Sequence, residues 1–195
     1  EKLEELKKYI EEIKLLEMIK QNIDSNFLHS EVYTCHLNNG RIINRQQILK
    51  NGLDGSAVIV VPHLKELDEY LIVVEPRVFT KLGVGVSFPA GYIDEDEKGH
   101  QAAYRELKEE TGYIAQKLEE LGSFSPNPAI MSNKVYCFVA KDLIPTGKQN
   151  LDKDEYVNFF ELTEEEVLKK MGSKEFPHGL MLAALELFRQ KEIKQ

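Results

Sequence analysis

Apolar residues recur at helical spacing through the first 22 positions, and polar or charged residues occupy most of the positions between them. A helix built from this segment would carry these apolar side chains on one face, so the pattern predicts an amphipathic helix. We interpret it as a packing or dimer-contact element, with a specific partner-binding role as the alternative. The apolar face comprises Leu3, Leu6, Ile10, Ile13, Leu16 and Ile19.

From Glu31 onward the pattern changes to short runs rich in β-branched and aromatic residues. Turn-forming segments such as Asn-Asn-Gly and Asn-Gly-Leu-Asp-Gly separate these runs, which therefore predict the strands of a mixed sheet. The predicted strands are 31–37, 40–49, 55–63, 69–79, 123–130, 134–140 and 155–162.

Three further segments carry helix signals. Helical periodicity begins near Lys98 or Gly99 and ends at Gly112, a residue that commonly terminates helices. The segment 163–166 matches a capping box that opens a helix ending near Met171, and a last helix spans about 178–191. Strands and helices do not alternate regularly, so the order favours an α+β domain over a doubly wound sheet.

Composition and charge narrow the class of protein. The formal net charge of −8 disfavours general nucleic-acid binding, since phosphate backbones favour clustered Lys and Arg. No apolar run approaches the ~20 residues of a membrane span. Cys35 and Cys137 are about a hundred residues apart, so we expect buried free thiols and a reducing, cytoplasmic compartment. An anionic substrate would therefore need metal ions or a local basic pocket.

Three glutamates stand at positions i, i+3 and i+4 of the central helix and share one face: Glu106, Glu109 and Glu110. Such carboxylates repel one another by roughly 0.2 to 0.5 kcal/mol per exposed pair, and a bound cation would remove that penalty. Magnesium and manganese prefer oxygen ligands and retain exchangeable waters, so this face is a candidate metal platform. Taken alone, three glutamates are more simply interpreted as a solvated acidic face.

The surrounding segment 91–113 favours the metal platform, because it resembles the Nudix box, G-x5-E-x7-R-E-U-x-E-E-x-G-U, where U is a bulky apolar residue. Its seven fixed identities would coincide by chance in a chain of this length on the order of once in a million. Tyr113 takes the final apolar position, which is a mild departure. The residues in register are Gly91, Glu97, Arg105, Glu106, Leu107, Glu109, Glu110 and Gly112.

The resemblance implies an α/β/α sandwich with a mixed sheet, and hydrolysis of a diphosphate linkage by water. It implies that two or three Mg²⁺ or Mn²⁺ ions are held by Glu106 and Glu110, with Glu109 bound to metal or to a metal-bound water. The carbonyl of Ala90 is a further expected ligand. Arg105 is expected to pair with Glu97 or a neighbouring carboxylate and to orient the ligands.

Features outside the box resemble the ADP-ribose pyrophosphatase branch of the family. The segment 71–94 implies that Arg77 contacts the diphosphate or terminal ribose and that Tyr92 lines the substrate site. Pro128 matches a marker proline in a loop over the substrate. The branch then often has Gly and Glu where this chain has Ala129 and Asn133, so Asn133 is the expected substrate contact there and other nucleoside diphosphate sugars stay open.

The same resemblance implies a catalytic base on a later acidic loop, where this chain offers Asp152, Asp154 and Glu155. We favour Glu155, with a solvated turn as the alternative interpretation.

The expected organisation is an N-terminal helix and linker (1–30), a strand-rich dimerisation extension (31–54) and a Nudix domain (55–195). By resemblance the extension exchanges between the subunits of a homodimer. The predicted reaction releases a nucleoside monophosphate and a sugar phosphate from ADP-ribose or a related nucleoside diphosphate sugar. Two alternatives are a catalytically silent module that senses nucleotide sugars and a pyrophosphohydrolase acting on RNA 5′ ends.

Overall fold

The computed structural model describes residues 2–13, 28–50, 55–153, 155–174, 176 and 178–193. The helices are α1 (Lys2–Glu12), α2 (Gly99–Thr111), α3 (Glu164–Lys170) and α4 (Gly179–Ile193). The strands are β1 (Leu28–His36), β2 (Ile42–Lys50), β3 (Ala57–Leu64), β4 (Glu69–Pro76), β5 (Val84–Ser87), β6 (Ala90–Tyr92), β7 (Tyr113–Phe124), β8 (Val135–Pro145) and β9 (Asn158–Thr163).

A seven-stranded mixed sheet forms the centre of the fold. Its main path is β5-β4-β3-β8-β7, with β6 paired to β3 and β9 paired to β4. Strands β3 and β8 run parallel, whereas the other pairs are antiparallel. Strands β1 and β2 form a separate antiparallel hairpin whose register joins Leu28 to Lys50. The mixed sheet and the α+β class are as predicted.

Strand β3 is buried on both faces, which explains its unbroken apolar sequence. Because successive side chains point to opposite faces, Ile59 and Val61 join one core cluster while Val58 and Val60 join the other. Helix α2 covers the second cluster, and α1, α3 and α4 contribute to the first. The result is the α/β/α layering that the resemblance implies.

Helix α2 is oriented by a short apolar stripe. Ala102, Ala103 and Leu107 are fully buried against the sheet. Truncating Leu107 to alanine would cost about 2 to 5 kcal/mol. Gly112 ends the helix in the left-handed conformation with φ of 68°, as its sequence position predicts. The stripe therefore determines which side of α2 presents its carboxylates.

Several predicted boundaries are confirmed. Thr163 and Glu166 form the reciprocal capping box at the start of α3. The N-terminal helix is described as far as Glu12, and the remainder of its predicted span, from residue 14, lies outside the described residues.

Cys137 is buried as expected, whereas Cys35 on the hairpin is only half-buried.

The predicted strand 123–130 is wrong beyond Phe124. Residues 125–134 form a loop, because Pro126 and Pro128 lack the amide hydrogens that a strand ladder needs. The strand that precedes this loop, β7, was missed because its polar, charged sequence shows no clear alternation and much of it is exposed. Residues 155–157 likewise lie before β9 rather than in it.

In the part of the chain that the structure describes, no helix is long and apolar enough to cross a membrane.

Candidate active site

One cavity of about 450 Å³ collects most of the candidate residues. Glu106, Glu109 and Glu110 of α2 line it, as expected from their shared helix face. Glu106 and Glu110 are buried, at 8% and 5% exposure. The described residues that line the cavity include seven carboxylates and three cationic side chains: Glu75, Asp94, Glu106, Glu109, Glu110, Asp152 and Glu155, with Lys50, Arg77 and Arg105.

Strand β6 passes directly against these carboxylates. The backbone amide of Ala90 donates to Oε2 of Glu110 at 3.0 Å. A Cβ placed on Gly91 would lie 2.6 Å from Oε2 of Glu106 and closer still to its Oε1 and Cδ. A side chain at this position would displace the carboxylate, so the first glycine of the box is needed for space.

Arg105 binds several of the carboxylates together. Its Nε and Nη2 donate to the two oxygens of Glu97 at 2.9 and 2.8 Å, which is the predicted pairing. Its Nη1 donates to Glu106 at 2.7 Å and to Glu109 at 3.2 Å. Nη2 also donates to the carbonyl of Tyr92 at 2.9 Å, which ties the helix to β6. The guanidinium holds the pKa of Glu97 below its usual range.

Burial disfavours the charged forms of Glu106 and Glu110. Desolvation raises the pKa of Glu106 to about 7, against the opposing effect of Arg105. Desolvation, followed by the neighbouring charges of Glu106 and Glu75, raises the pKa of Glu110 well above its usual range. A cation in the cavity would favour the ionised forms.

The donor set fits a hard divalent cation, because carboxylate and backbone carbonyl oxygens are the ligands that Mg²⁺ and Mn²⁺ prefer. In the described ranges, no three His, Cys, Asp or Glu side chains surround a common point suited to a metal. Glu106 and Glu109 instead direct oxygens at Arg105. Each of these two carboxylates has a second oxygen that Arg105 does not engage.

Glu75 was missed by the sequence reasoning. It follows the apolar run 70–74 of β4 directly, and an acidic residue at the end of a buried strand was the available signal. Burial raises its pKa, against the effect of Arg77, whose Nη2 lies 2.7 Å from Oε1 of Glu75. Arg77 thus lines the cavity, where its guanidinium contacts a protein carboxylate.

Glu155 lies in the same cavity, on the loop between β8 and β9. Its carboxylate accepts a hydrogen bond from the amide of Asp152 at 3.0 Å. The loop is attached to the end of α2, since the amide of Asn150 donates to the carbonyl of Glu109 at 3.0 Å and the Gln149 side chain donates to that of Glu110. Residue 154, one of the three acidic candidates, lies outside the described residues.

The N-terminal helix also reaches this loop. The rings of Tyr9 and Tyr156 stack at a centroid distance of 6.2 Å and an angle of 14°. Tyr9 packs on Phe160 of β9 as well, at 5.6 Å. Helix α1 therefore supports the segment that carries Glu155, a contact that no sequence pattern indicated.

Two predicted substrate contacts do not lie in this cavity. The loop 125–134 packs on the hairpin, where the amide of Ile48 donates to the carbonyl of Ile130 at 2.8 Å. Pro128 accordingly lines a separate cavity of about 360 Å³ with Tyr33 and Arg45. Asn133 is buried, and its side-chain amide donates to the carbonyl of Gly55 at 3.1 Å. The single chain therefore does not bring either residue to the carboxylates.

Comparison with known proteins identifies the family. The NUDIX domain matches residues 54–182, which include the segment 91–113 and all seven strands of the central sheet. The chain belongs to the NUDIX family. An ADP-ribose pyrophosphatase of Bacillus subtilis (strain 168) is 36% identical over 111 residues, which cover 56% of this chain and 60% of that protein. A methanol dehydrogenase activator of Bacillus methanolicus is 34% identical over 110 residues, covering 55% and 58%.

A solved structure extends the similarity to most of this NUDIX chain. The crystal structure of an ADP compounds hydrolase superposes with a TM-score of 0.72 and 26% sequence identity, covering 88% of this chain and 89% of the other. The matched part of the chain spans less than two thirds of the length of the curated relatives. Helix α1 and the β1–β2 hairpin precede the residues that the NUDIX domain matches.

Proposed function

We propose that this NUDIX protein hydrolyses the diphosphate linkage of ADP-ribose or a related nucleoside diphosphate sugar, with divalent metal ions, to a nucleoside monophosphate and a sugar phosphate. The observation that carries the proposal is the convergence of the box glutamates with Glu75 and Glu155 on one cavity, with Arg77 at its edge. The names of the ADP-ribose pyrophosphatase and the ADP compounds hydrolase favour this substrate class.

The carboxylates of α2 would hold two or three Mg²⁺ or Mn²⁺ ions, together with the carbonyl of Ala90. Such ions, when bound, neutralise diphosphate oxygens and lower the pKa of a water. Arg105 would restrict the rotation of Glu106 and Glu109 through its hydrogen bonds to both. Gly91 provides the space in which the Glu106 carboxylate lies.

Glu155 is our proposed general base. Its carboxylate would accept a proton from the attacking water as the new phosphorus–oxygen bond forms and the bridging phosphorus–oxygen bond breaks. Its exposed position in the cavity, held by the amide of Asp152, supports this role. Arg77 would contact the diphosphate with the guanidinium nitrogens that Glu75 does not engage, and Tyr92 would line the substrate site.

We further propose a homodimer that forms through the hairpin. In this proposal the chain consists of an N-terminal segment (1–30), a dimerisation extension (31–54) and the NUDIX domain (55–195). Val32, Ile42 and Leu28 are 72%, 60% and 55% exposed. Exposed apolar patches commonly mark protein–protein interaction sites. A second copy covering the hairpin would bury them. Sedimentation equilibrium of the wild type beside a Val32→Lys, Ile42→Lys variant tests this, and a monomeric wild type would overturn it.

The test of the reaction is a substrate panel with Mg²⁺ or Mn²⁺, using Glu110→Gln as the inactive control. The panel contains ADP-ribose, several nucleoside diphosphate sugars, NADH, a dinucleoside polyphosphate, nucleoside triphosphates and 5′-triphosphorylated RNA. Metal-dependent release of AMP and ribose 5-phosphate, or of their counterparts, supports the proposal. An inert panel with retained binding of a nucleotide sugar would favour the sensing module, and cleavage of the RNA alone would favour the RNA 5′-end reaction.

A further inference from the structure

Lys50 enters the candidate active site from outside the region that matches the NUDIX domain. It is the last residue of β2, so the hairpin rather than the central sheet supplies it. Its ammonium lies 3.1 Å from the centroid of the Tyr92 ring, close enough for a strong cation–π contact. Gly55, in the left-handed conformation, packs beside both side chains. Lys50 and Tyr92 therefore form one built corner of the cavity.

The three cations of the cavity occupy different places. Arg105 is committed to Glu97, Glu106 and Glu109 by hydrogen bonds. Arg77 lies against Glu75, with its Nη2 2.7 Å from Oε1 of that residue. Burial lowers the pKa of Lys50, against the opposing charges of Asp94 and Glu106. Lys50 and Arg77 thus reach the cavity from different elements, the end of β2 and the residue that follows β4.

A diphosphate ligand brings negative charge into a cavity that already holds seven carboxylates. Phosphate oxygens that do not bind metal need hydrogen-bond donors at the rim. An ammonium suits this task because it is a compact charge with three donors, and it is held here on the ring of Tyr92, a residue that is 46% exposed. A ligand that approaches the carboxylates along Tyr92 therefore meets Lys50.

We propose that Lys50 is a substrate-binding residue that donates a hydrogen bond to a phosphate oxygen of the diphosphate, with Tyr92 as the surface that positions its ammonium. The inference rests on the proposed function and makes the β1–β2 hairpin part of the substrate site.

The experiment compares Lys50→Met and Lys50→Arg with wild type and with Lys65→Met. Lys65 is an exposed lysine on the β3–β4 turn, at the opposite end of β4 from the cavity, so its variant makes the same charge change elsewhere. For each protein we would measure KM and kcat for ADP-ribose, inhibition constants for AMP and ribose 5-phosphate, the Mg²⁺ concentration that gives half-maximal activity, and Tm.

Lys50→Met is expected to raise KM and the inhibition constant of at least one phosphorylated product by ~10- to 100-fold, as for a lost charge-assisted hydrogen bond. Lys50→Arg should stay within a few-fold of wild type, and Lys65→Met should change nothing. Unchanged KM and inhibition constants would overturn the proposal. So would an effect confined to the Mg²⁺ dependence or to Tm, because Lys50 would then act only on the carboxylates or on packing.

Failure of the proposed function has a separate signature. If wild type turns over none of the substrates, calorimetric dissociation constants for AMP and ribose 5-phosphate replace the inhibition constants. Weaker binding of AMP or ribose 5-phosphate by Lys50→Met than by wild type would then support the contact between Lys50 and phosphate, although the hydrolase proposal would have failed. Equal binding by the two proteins would overturn the contact.

Discussion

The Gly91→Ala substitution is expected to displace the Glu106 carboxylate while leaving the stability of the fold nearly unchanged. The added methyl would lie 2.6 Å from Oε2 of Glu106, whereas ordinary contact begins near 3.4 Å, so that oxygen alone must move by about 0.8 Å. Oε1 and Cδ lie closer to the methyl and must move further. The carboxylate is therefore displaced by about 1 Å or more, and the 2.7 Å hydrogen bond from Arg105 is lost or distorted.

A displacement of ~1 Å in a catalytic constellation commonly costs about 100-fold in rate. We expect kcat/KM for ADP-ribose with Mg²⁺ to fall by about that factor. Stability should change little, because the atoms that must move are the end of a flexible side chain and Gly91 does not have a positive φ. Gly179→Ala is the matched control, since an added methyl at the start of α4 meets nothing within 4 Å.

Steady-state kinetics, a Mg²⁺ titration and thermal unfolding of the three proteins decide the outcome. The reasoning is refuted if Gly91→Ala keeps kcat/KM within about threefold of Gly179→Ala. A loss of activity that is matched by a large fall in Tm would also refute it, because the glycine would then serve the fold rather than the position of Glu106.

Four further perturbations follow from the same structure. Burial raises the pKa of Glu110, so this carboxyl group costs stability above its ordinary pKa, and at pH 8 in a chelator the Tm of Glu110→Gln should exceed that of wild type by roughly 2 to 4 °C. An unchanged or lower Tm contradicts this, and activity measured separately with Mg²⁺ should be lost. Arg105→Lys cannot make the bidentate pair with Glu97, and we expect kcat/KM to fall by about 10- to 100-fold in steady-state assays. Burial lowers the pKa of His63, whose Nε2 has no hydrogen-bond partner among the described residues. The stability that the neutral His63 side chain contributes is therefore present above the ordinary histidine pKa of about 6.5, and it is lost as the pH falls below that value. The Tm advantage of His63→Phe over wild type should accordingly grow between pH 7.5 and pH 5.5 in thermal scans. Tyr9→Ala removes the stack under the loop of Glu155 and should lower kcat by about tenfold with little effect on KM, whereas Tyr9→Phe should stay near wild type.

The sequence was sufficient for the parts of the fold and site that depend on local spacing. Glu106, Glu109 and Glu110 share a face because 3.6 residues make one helical turn. Gly112 ends that helix because glycine readily adopts the left-handed backbone conformation that terminates helices. Thr163 and Glu166 cap α3 because their separation matches the first turn. The pairing of Arg105 with Glu97 followed from the family resemblance rather than from spacing alone.

Tertiary structure decided which distant segments join these residues. Glu75, Lys50 and Tyr9 come from a strand, a hairpin and a helix that precede the box, and no local period relates their positions to the glutamates. Pro128 and Asn133 were placed at the substrate site by their distance along the chain, but the loop that holds them packs on the hairpin. The sequence by itself determined the helix and the chemistry of its acidic face. Long-range packing determined the walls of the cavity, because contacts between distant segments depend on the burial of whole strands and helices rather than on the spacing of individual residues.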